Sequence, residues 1–235
     1  MYSDVFCKVY NEFGWNYYPE AFGGQLLQWL SDRNLQPQAA LDLACGTGVL
    51  CRIMKEHGIK SRGMDFSEGM IAIARAESPD IPYDVADMIT YRPDEKFDLV
   101  TCTGDALNHI PELSNVGRIF ENVYAYLTPG GYFVFDLLDE HEVSTAEPFD
   151  LQFDEVISAR FQITRPDEKR VHLQTQVFEN GIHSFTEDIY EMIHDREAVL
   201  ELLRRAGFEI VKCAHRLLDD GAEVATWYII ARKPL

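Results

Sequence analysis

The chain alternates apolar strands with helices, and this alternation constrains its fold more than any other feature of the sequence. The first unit joins an apolar run at 40–44, a glycine turn at 45–48 and apolar residues at helical spacing from 49 to 54. Further strands are predicted near 60–64, 83–86, 97–102 and 132–137, with helices over 67–76 and 116–127. Because such units form parallel crossovers, the pattern predicts a doubly wound sheet covered on both faces.

Residues 140–195 interrupt this rhythm. Segments 156–164, 170–178 and 184–193 alternate apolar and polar residues, with turn signals at 166–167 and 180–181, which predicts an antiparallel β insert. The parent pattern resumes with a helix over 196–206 and strands over 209–215 and 226–232. The length of 235 residues fits one such unit, so we expect a single domain over 1–235 that carries the insert over 140–195.

An aromatic segment precedes the first strand. Its spacing predicts a helical cap over 1–36, with one or two helices between residue 2 and about residue 33. Gly14 and Pro19 are expected to interrupt these helices, because glycine and proline are the strongest local breakers of a helical pattern. We therefore predict a cap outside the sheet.

The charge of the chain restricts its partners. The formal net charge is −18 at pH 7, and nucleic-acid binding depends on Lys and Arg that neutralise phosphates, so a nucleic-acid partner is disfavoured. The same charge would repel an anionic membrane surface, and no apolar run approaches the roughly 20 residues that span a bilayer. We expect a small-molecule substrate and no membrane partner, while the sequence is silent on oligomeric state.

The cysteines and the first residues indicate a compartment. No basic region followed by an apolar stretch, typical of a secretory signal, is seen at the start of the sequence. The five cysteines form no C-x-x-C pair and no Cys/His cluster with metal spacing. We expect reduced, mostly buried thiols, no metal site and a cytoplasmic location.

The glycine turn and one acidic residue point to a nucleoside ligand. In a doubly wound sheet, ligands bind beyond the carboxyl ends of the strands, and glycines there let a ligand approach the main chain. Asp65 follows Gly46 by nineteen positions, the spacing at which a carboxylate accepts hydrogen bonds from ribose hydroxyls. Cys51 stands where the dinucleotide fingerprint has its third glycine, which disfavours NAD, and the absence of a G-K-[ST] ending excludes a P-loop.

Five short segments stand in order along the first half of the chain: LDLACGTG at 41–48, DFS at 65–67, ADM at 86–88, FDLV at 97–100 and LTPGG at 127–131. They resemble the motifs of the class I S-adenosylmethionine-dependent methyltransferases. Ala44 departs from the pattern, because the family often has glycine there. The resemblance implies S-adenosylmethionine as cofactor. It also implies an α/β fold with a doubly wound, Rossmann-like, mostly parallel seven-stranded sheet, an antiparallel last strand and a small antiparallel β insert.

The resemblance further implies roles for individual residues. Contacts to the cofactor are expected from Tyr10, Tyr18, Asp42, Ala44, Cys45, Gly46, Thr47, Asp65, Phe66, Met70, Asp87, Met88, Thr103 and Gly104. Within this set, Asp65 would hold the ribose hydroxyls and Asp87 would accept from the adenine amine. Phe66 and Met88 would flank the base, and the main chain at 103–104 would line the sulfonium region.

Methyl transfer from a sulfonium asks a protein mainly for alignment of the nucleophile, which supplies roughly 7–11 kcal/mol of a barrier. A base is needed only for an acceptor that arrives protonated. Asp105 and His109, just after the fourth strand, are the candidate catalytic residues for that role. The alternative for each is a loop residue that caps a helix or stays solvated.

The loop after the fourth strand also restricts the acceptor. Residues 103–106 read TGDA and lack the [DNS]-P-P-[YFW] motif of methyltransferases that act on exocyclic base nitrogens. A small acceptor is therefore expected, and acidic surroundings would attract an amine.

The order of cap and insert resembles that of amino-sugar N-methyltransferases and uncharacterised bacterial relatives, in which the insert roofs the pocket. By that analogy Tyr10, Tyr17 and Tyr18 would enclose the acceptor and exclude water, with core packing as the alternative for each ring.

Two other functions stay open from the sequence. A regulatory protein that binds S-adenosylmethionine without turnover would explain why no catalytic base is evident. An NAD-dependent oxidoreductase would share the glycine turn and Asp65.

Overall fold

The computed structural model describes residues 3–139, 145–218 and 226–235. Within these ranges the helices are α1 (Asp4–Val9), α2 (Tyr17–Asp32), α3 (Val49–Glu56), α4 (Glu68–Glu77), α5 (Leu113–Tyr126) and α6 (Arg196–Ala206), with a 3-10 helix at Ala106–His109. The strands are β1 (Ala39–Leu43), β2 (Lys60–Asp65), β3 (Tyr83–Val85), β4 (Phe97–Cys102), β5 (Leu127–Leu138), β6 (Ala146–Gln152), β7 (Ile157–Asp167), β8 (Arg170–Glu179), β9 (Ile182–Met192), β10 (Glu209–Ala214) and β11 (Thr226–Arg232).

The parallel sheet has the predicted doubly wound topology. In the described part of the chain it contains seven strands in the order β10-β11-β5-β4-β1-β2-β3. The pairs β1–β2, β1–β4, β2–β3 and β4–β5 are parallel, whereas β11 runs antiparallel to both β5 and β10. The predicted mostly parallel sheet with an antiparallel last strand is therefore confirmed. Its carboxyl ends bring the loops after β1, β2, β4 and β5 to one edge.

Both faces of the sheet are buried, as expected for parallel strands covered by helices. In β5, Phe133 and Phe135 pack into the cluster formed with α5 and α6, while Val134 between them packs into the cluster formed with α2 and α3. In β1 the same alternation points Leu41 toward α5 and Ala40 toward α2. This packing fixes the height of each strand, and so the position of every loop at the carboxyl edge.

The aromatic cap consists of two helices, and only one of its predicted breaks is found. Gly14, with φ of 76°, lies in the turn between α1 and α2. The predicted break at Pro19 is wrong, because Pro19 is the third residue of α2. The missing N–H costs nothing in the first turn, since no intrahelical acceptor exists for it there. Residues 1–2 of the predicted cap lie outside the described residues.

The insert is an antiparallel sheet of β6-β7-β8-β9 in the described ranges. The three predicted strands correspond to β7, β8 and β9, but β6 was not predicted. Its sequence, AEPFDLQ, contains a proline, and a proline within a run argues against a strand unless the strand lies at the edge of a sheet, as β6 does. Residues 140–144 of the predicted insert lie outside the described residues.

The insert and α1 share one apolar cluster, in which Phe6 and Phe13 pack with Phe161, Val177 and Ile189. The ring centroids of Phe13 and Phe153 lie 4.5 Å apart. This contact joins the cap to the insert on the side of the sheet where the loops meet.

No helix within the described residues is both long enough and apolar enough to cross a bilayer.

Candidate active site

The glycine turn after β1 has the backbone geometry that a bound ligand needs. Ala44, Gly46 and Gly48 all have positive φ, of 55°, 53° and 78°. A side chain at Gly48 would place its Cβ 2.4 Å from the Tyr83 hydroxyl oxygen, so only glycine fits there. A Cβ built at Gly46, in contrast, meets nothing within 4 Å. The turn is therefore closed toward the protein and open above Gly46.

The carboxylate of Asp65 lies directly against this turn. Its Oδ2 accepts a hydrogen bond from the Gly46 N–H at 2.9 Å, and its Oδ1 accepts from the Ser67 N–H at 2.8 Å. Burial raises the pKa of Asp65, and the hydrogen bonds from backbone N–H groups oppose that rise. The two features that the sequence linked by spacing are thus in contact, and each carboxylate oxygen keeps a lone pair for a further donor.

An exposed aromatic ring follows Asp65. Phe66 is 55% exposed although it is a large aromatic residue. The end of β2 lies next to the following predicted motif, because the Ala86 N–H donates a hydrogen bond to the Asp65 carbonyl oxygen at 2.9 Å. Asp87 and Met88 follow at once and are half-buried, with the Asp87 carboxylate accepting from the Ile89 N–H at 2.8 Å. The structure therefore brings the DFS and ADM segments together at one edge.

Asp42 and Met70 lie deeper than the other predicted contacts. Asp42 is 4% exposed and accepts a hydrogen bond of 2.6 Å from the Thr101 hydroxyl. Burial raises the pKa of Asp42 to about 7. Met70 is 1% exposed in α4, and its N–H donates to the Ser67 hydroxyl at 3.3 Å. Both side chains are buried, and their contact with a cofactor stays a prediction.

The loop after β4 is organised by an acid that sequence reasoning missed. Asp136 on β5 is fully buried, and its carboxylate accepts from the N–H groups of Gly104 and Asp105 at 2.9 and 3.0 Å. The Tyr18 hydroxyl donates a further hydrogen bond to the same carboxylate. Asp136 thus holds the loop of Thr103 and Gly104 and the first turns of α2 at the carboxyl edge. An acid in the otherwise apolar run YFVFDLL was the available signal.

Three carboxyl groups gather beyond the ends of β4 and β5. Burial raises the pKa of Asp136, and burial together with the charge of Asp136 raises the pKa of Asp105 well above its usual value. Glu191, which the insert contributes from β9, has a pKa raised to about 7 by burial and by Asp136. Desolvation and mutual repulsion disfavour the ionised form of these carboxyl groups, so a bound cation would stabilise their negative charge.

His109 lies beside this group. Its Nε2 is 3.6 Å from Oε1 of Glu191, and its side chain is 32% exposed. Burial lowers the pKa of His109, so the ring is neutral at pH 7. The structure thus brings both candidate catalytic residues, Asp105 and His109, close to Glu191. Their catalytic role stays a prediction.

The cap is fastened to the glycine turn. The Thr47 hydroxyl donates to the side-chain oxygen of Asn11 at 2.9 Å, and the Asn11 side-chain N–H donates to Glu77 at 3.2 Å. The thiol of Cys7 lies 3.5 Å from the hydroxyl of Ser67, which caps α4. The segment from α1 to α2 therefore lies over the turn.

The three cap tyrosines differ in position. Burial, with smaller contributions from the charges of Asp65 and Asp105, raises the pKa of Tyr10 to about 12, which places Tyr10 near both carboxylates. Tyr18 binds Asp136, as described. Tyr17 is 74% exposed, so its ring does not enclose a pocket in this structure.

A comparison with known proteins indicates which kind of domain contains this site. Residues 40–131 match the family model described as a methyltransferase domain. Residues 40–131 are thus similar to a methyltransferase domain, and proteins that the chain resembles are S-adenosylmethionine-dependent methyltransferases. The matched residues contain the glycine turn, Asp65, the ADM segment and the loop after β4, so the family match and the site coincide.

Similar proteins extend the match beyond residues 40–131. The chain is 27% identical over 135 residues to a dTDP-4-amino-2,3,4,6-tetradeoxy-D-glucose N,N-dimethyltransferase of Saccharopolyspora spinosa, covering 57% of this chain and 53% of that protein. The chain thus spans about half the length of that relative. It is 29% identical to the Bacillus subtilis protein YqeM, named as a methyltransferase, over 94% of this chain and 90% of that protein.

A solved structure supports the fold of the whole chain. The amino pentose methyltransferase CalS10 of Micromonospora echinaspora, with S-adenosylmethionine bound, superposes with a TM-score of 0.78. The match covers 99% of this chain and 98% of that chain at 20% identity. At this identity the likeness shows the fold alone, including the cap and the antiparallel insert.

The residues of the site fit S-adenosylmethionine, the cofactor that the resemblance implies. The open space above Gly46 admits a ligand against the main chain, and the two oxygens of Asp65 can each accept a ribose hydroxyl. The exposed ring of Phe66 offers an apolar face for a base. The carboxyl groups beyond β4 and β5 suit a cationic sulfonium. The family match also removes the oxidoreductase alternative.

Proposed function

We propose that this methyltransferase transfers a methyl group from S-adenosylmethionine to the nitrogen of a small amine, by in-line displacement. The supporting observation is the group of Asp105, Asp136 and Glu191 at the carboxyl edge, beside the glycine turn that fits the cofactor. A site with excess negative charge favours ligands that enter as cations, and amines are cationic at neutral pH.

The residues of the chain would act mainly by positioning. Gly46 and Asp65 would fix the nucleoside end, with Phe66 and Met88 covering the base, so that the reacting end lies near the loop of Gly104. When bound, the cofactor supplies an electrophilic methyl group on sulfur. Holding a nucleophile in line with that methyl group supplies roughly 7–11 kcal/mol of the barrier, which is the main device we assign to the chain.

The cap and the insert would exclude water from the reaction. Asn11 fastens the cap to Thr47, and Phe6 and Phe13 pack on the insert. Both elements therefore lie over the carboxyl edge as one roof. Excluding water strengthens each electrostatic interaction within the pocket.

The amine acceptor draws further support from the relatives. The Saccharopolyspora spinosa protein is named for an amino sugar, and CalS10 is described as an amino pentose methyltransferase. These descriptions apply to those proteins. For this chain they make amino sugars the first class of amine to test.

A labelled-methyl screen tests the proposal. The chain would be incubated with S-adenosylmethionine carrying a labelled methyl group and with sets of amines, phenols and carboxylic acids. We expect labelled product among the amines, with amino sugars included. Transfer confined to phenols or carboxylic acids would contradict the amine acceptor. Tight binding of the cofactor without transfer to any set would instead favour a regulatory protein.

We further propose that the enzyme works in the cytoplasm. Cys7, Cys45, Cys51, Cys102 and Cys213 are all free thiols, and all except Cys213 are buried. Free thiols are the usual state in a reducing compartment.

A further inference from the structure

Glu191 is a carboxyl group of the insert for which the positioning mechanism gives no role. It lies on β9, far along the chain from the methyltransferase motifs, and its side chain is 19% exposed. No hydrogen bond to its carboxylate is seen among the described residues, and its nearest basic atom is Nε2 of His109 at 3.6 Å. A mostly buried carboxyl group without a donor costs free energy, so a partner from outside the chain would stabilise it.

The titratable groups around Glu191 come from three elements. His109 faces it from the 3-10 helix, Asp105 from the loop after β4, and Asp136 from β5. On its own strand, Glu187 lies on the same face but accepts hydrogen bonds from the N–H and hydroxyl of Ser3 at 2.9 and 2.6 Å. Glu191 thus lies among three acids and one neutral imidazole, with no Lys or Arg in ion-pair contact among the described residues.

The other acids of this pocket are less suited to accept a proton. The carboxylate of Asp136 is occupied by the N–H groups of Gly104 and Asp105 and by the Tyr18 hydroxyl. Burial and the charge of Asp136 raise the pKa of Asp105 well above its usual value, and Asp105 lies within the loop that Asp136 holds. The pKa of Glu191 is about 7, within the range where a general base is most effective.

We propose that Glu191 binds the acceptor amine as its ammonium ion and takes the proton that the amine must lose before methyl transfer. This inference rests on the function proposed above. An N–H bond of the ammonium breaks, its electron pair stays on nitrogen, and the proton joins an oxygen of Glu191. The nitrogen pair then forms the new N–C bond while the pair of the C–S bond goes to sulfur, which becomes a neutral thioether. Glu191 afterwards releases its proton to solvent.

A cofactor analogue tests this role without knowledge of the acceptor. Sinefungin carries a primary ammonium group where S-adenosylmethionine carries its reactive methyl group, whereas S-adenosylhomocysteine carries no charge there. Calorimetry at pH 6 and pH 8 gives the dissociation constants of both for the wild-type chain and for Glu191→Gln. The ratio of the dissociation constant of S-adenosylhomocysteine to that of sinefungin measures the effect of the charge at the methyl position, because the rest of the two ligands is closely similar.

The wild-type chain should prefer sinefungin, and the preference should grow from pH 6 to pH 8 as Glu191 ionises. In Glu191→Gln we expect the preference at pH 8 to fall roughly tenfold or more and its pH dependence to flatten, since a charged hydrogen-bonded pair is lost. The affinity for S-adenosylhomocysteine should stay within about threefold. Asp188→Asn is the matched control, because Asp188 lies on the same strand but binds His172 and Gln174; it should behave as wild type.

A second variant keeps the test decisive if Glu191→Gln does not fold. Glu191→Met keeps the side-chain length and removes a buried carboxyl group without a donor, so it should fold at least as well as wild type. It should lose the sinefungin preference in the same way. A preference that keeps its size and pH dependence in either folded variant would overturn the inference.

The outcomes separate this inference from the proposed function. A wild-type chain that binds neither ligand would contradict both. Binding of S-adenosylhomocysteine with a sinefungin preference independent of Glu191 would contradict the role of Glu191 alone. With an amine from the screen, Glu191→Gln should lower kcat/KM at pH 7 by about 10²–10⁴-fold and move the rise of the pH profile toward the pKa of the amine. An equal loss at every pH would indicate a structural role and contradict the inference.

Discussion

Replacing Asp65 with alanine removes the carboxylate that joins the glycine turn to the start of α4. In the structure it accepts from the N–H groups of Gly46 and Ser67 at 2.9 and 2.8 Å. The same two oxygens are the acceptors that we assign to the ribose hydroxyls. The variant should therefore weaken binding of S-adenosylhomocysteine and also loosen the turn.

The magnitude follows from the number of bonds lost. A hydrogen bond to a charged group contributes about 1.5–3 kcal/mol, so losing two ribose hydroxyls costs about 3–6 kcal/mol. This corresponds to a rise in the dissociation constant of roughly 10²–10⁴-fold. The Gly46 and Ser67 N–H groups also lose their acceptor, which should lower the free energy of unfolding by about 1–3 kcal/mol.

Titration calorimetry with S-adenosylhomocysteine measures the first effect and urea unfolding the second. Asp98→Ala is a matched control, because Asp98 accepts from the N–H groups of Gln38 and Ala39 at 2.9 and 3.2 Å, at the opposite end of β1. It should lose similar stability and keep its affinity. The reasoning is refuted if folded Asp65→Ala binds within threefold of wild type, or if Asp98→Ala loses affinity equally.

Three further changes test other parts of the structure. Ala44→Gly should raise the free energy of unfolding in urea by about 0.5–1 kcal/mol, because φ of 55° strains alanine; a loss of stability would contradict that strain. Asp42 has a pKa of about 7 when folded, above its unfolded value of about 3.9, so its contribution to stability is complete below pH 4 and is lost as pH rises through 7. Asp42→Asn should flatten this loss between about pH 4 and 7, and an unchanged dependence of the urea midpoint on pH would argue against it. Asn11→Ala removes the acceptor for Thr47 and should speed dissociation of S-adenosylhomocysteine about five- to tenfold in stopped flow; an unchanged rate would show that this contact does not hold the cap closed.

The parallel part of the fold could be predicted because local and global signals agree there. The strand at Phe97–Cys102 and the helix at Arg196–Ala206 have the predicted bounds, since a buried parallel strand is mostly apolar and an amphipathic helix has a clear period. Pro19 and β6 are the exceptions, and both involve a proline. A proline is harmless in the first turn of a helix, and it is tolerated in an edge strand such as β6.

The candidate site also contains some contacts that could be predicted from the sequence and others that could not. The meeting of Gly46 with Asp65 could be predicted, because both lie at strand ends whose spacing is a known pattern. Asp136 carried a weaker signal as an acid within an apolar strand. No signal in the sequence indicated Glu191. Its position beside His109 depends on how the insert packs over the carboxyl edge of the sheet, which no local sequence pattern determines.

The most direct test of the account is a calorimetric titration of the wild-type chain with S-adenosylhomocysteine, repeated in the presence of NADH. The account predicts one site per chain, with an affinity that NADH leaves unchanged. No binding at any concentration, or competition by NADH at the same site, would contradict it, because the glycine turn and Asp65 would then not hold this cofactor.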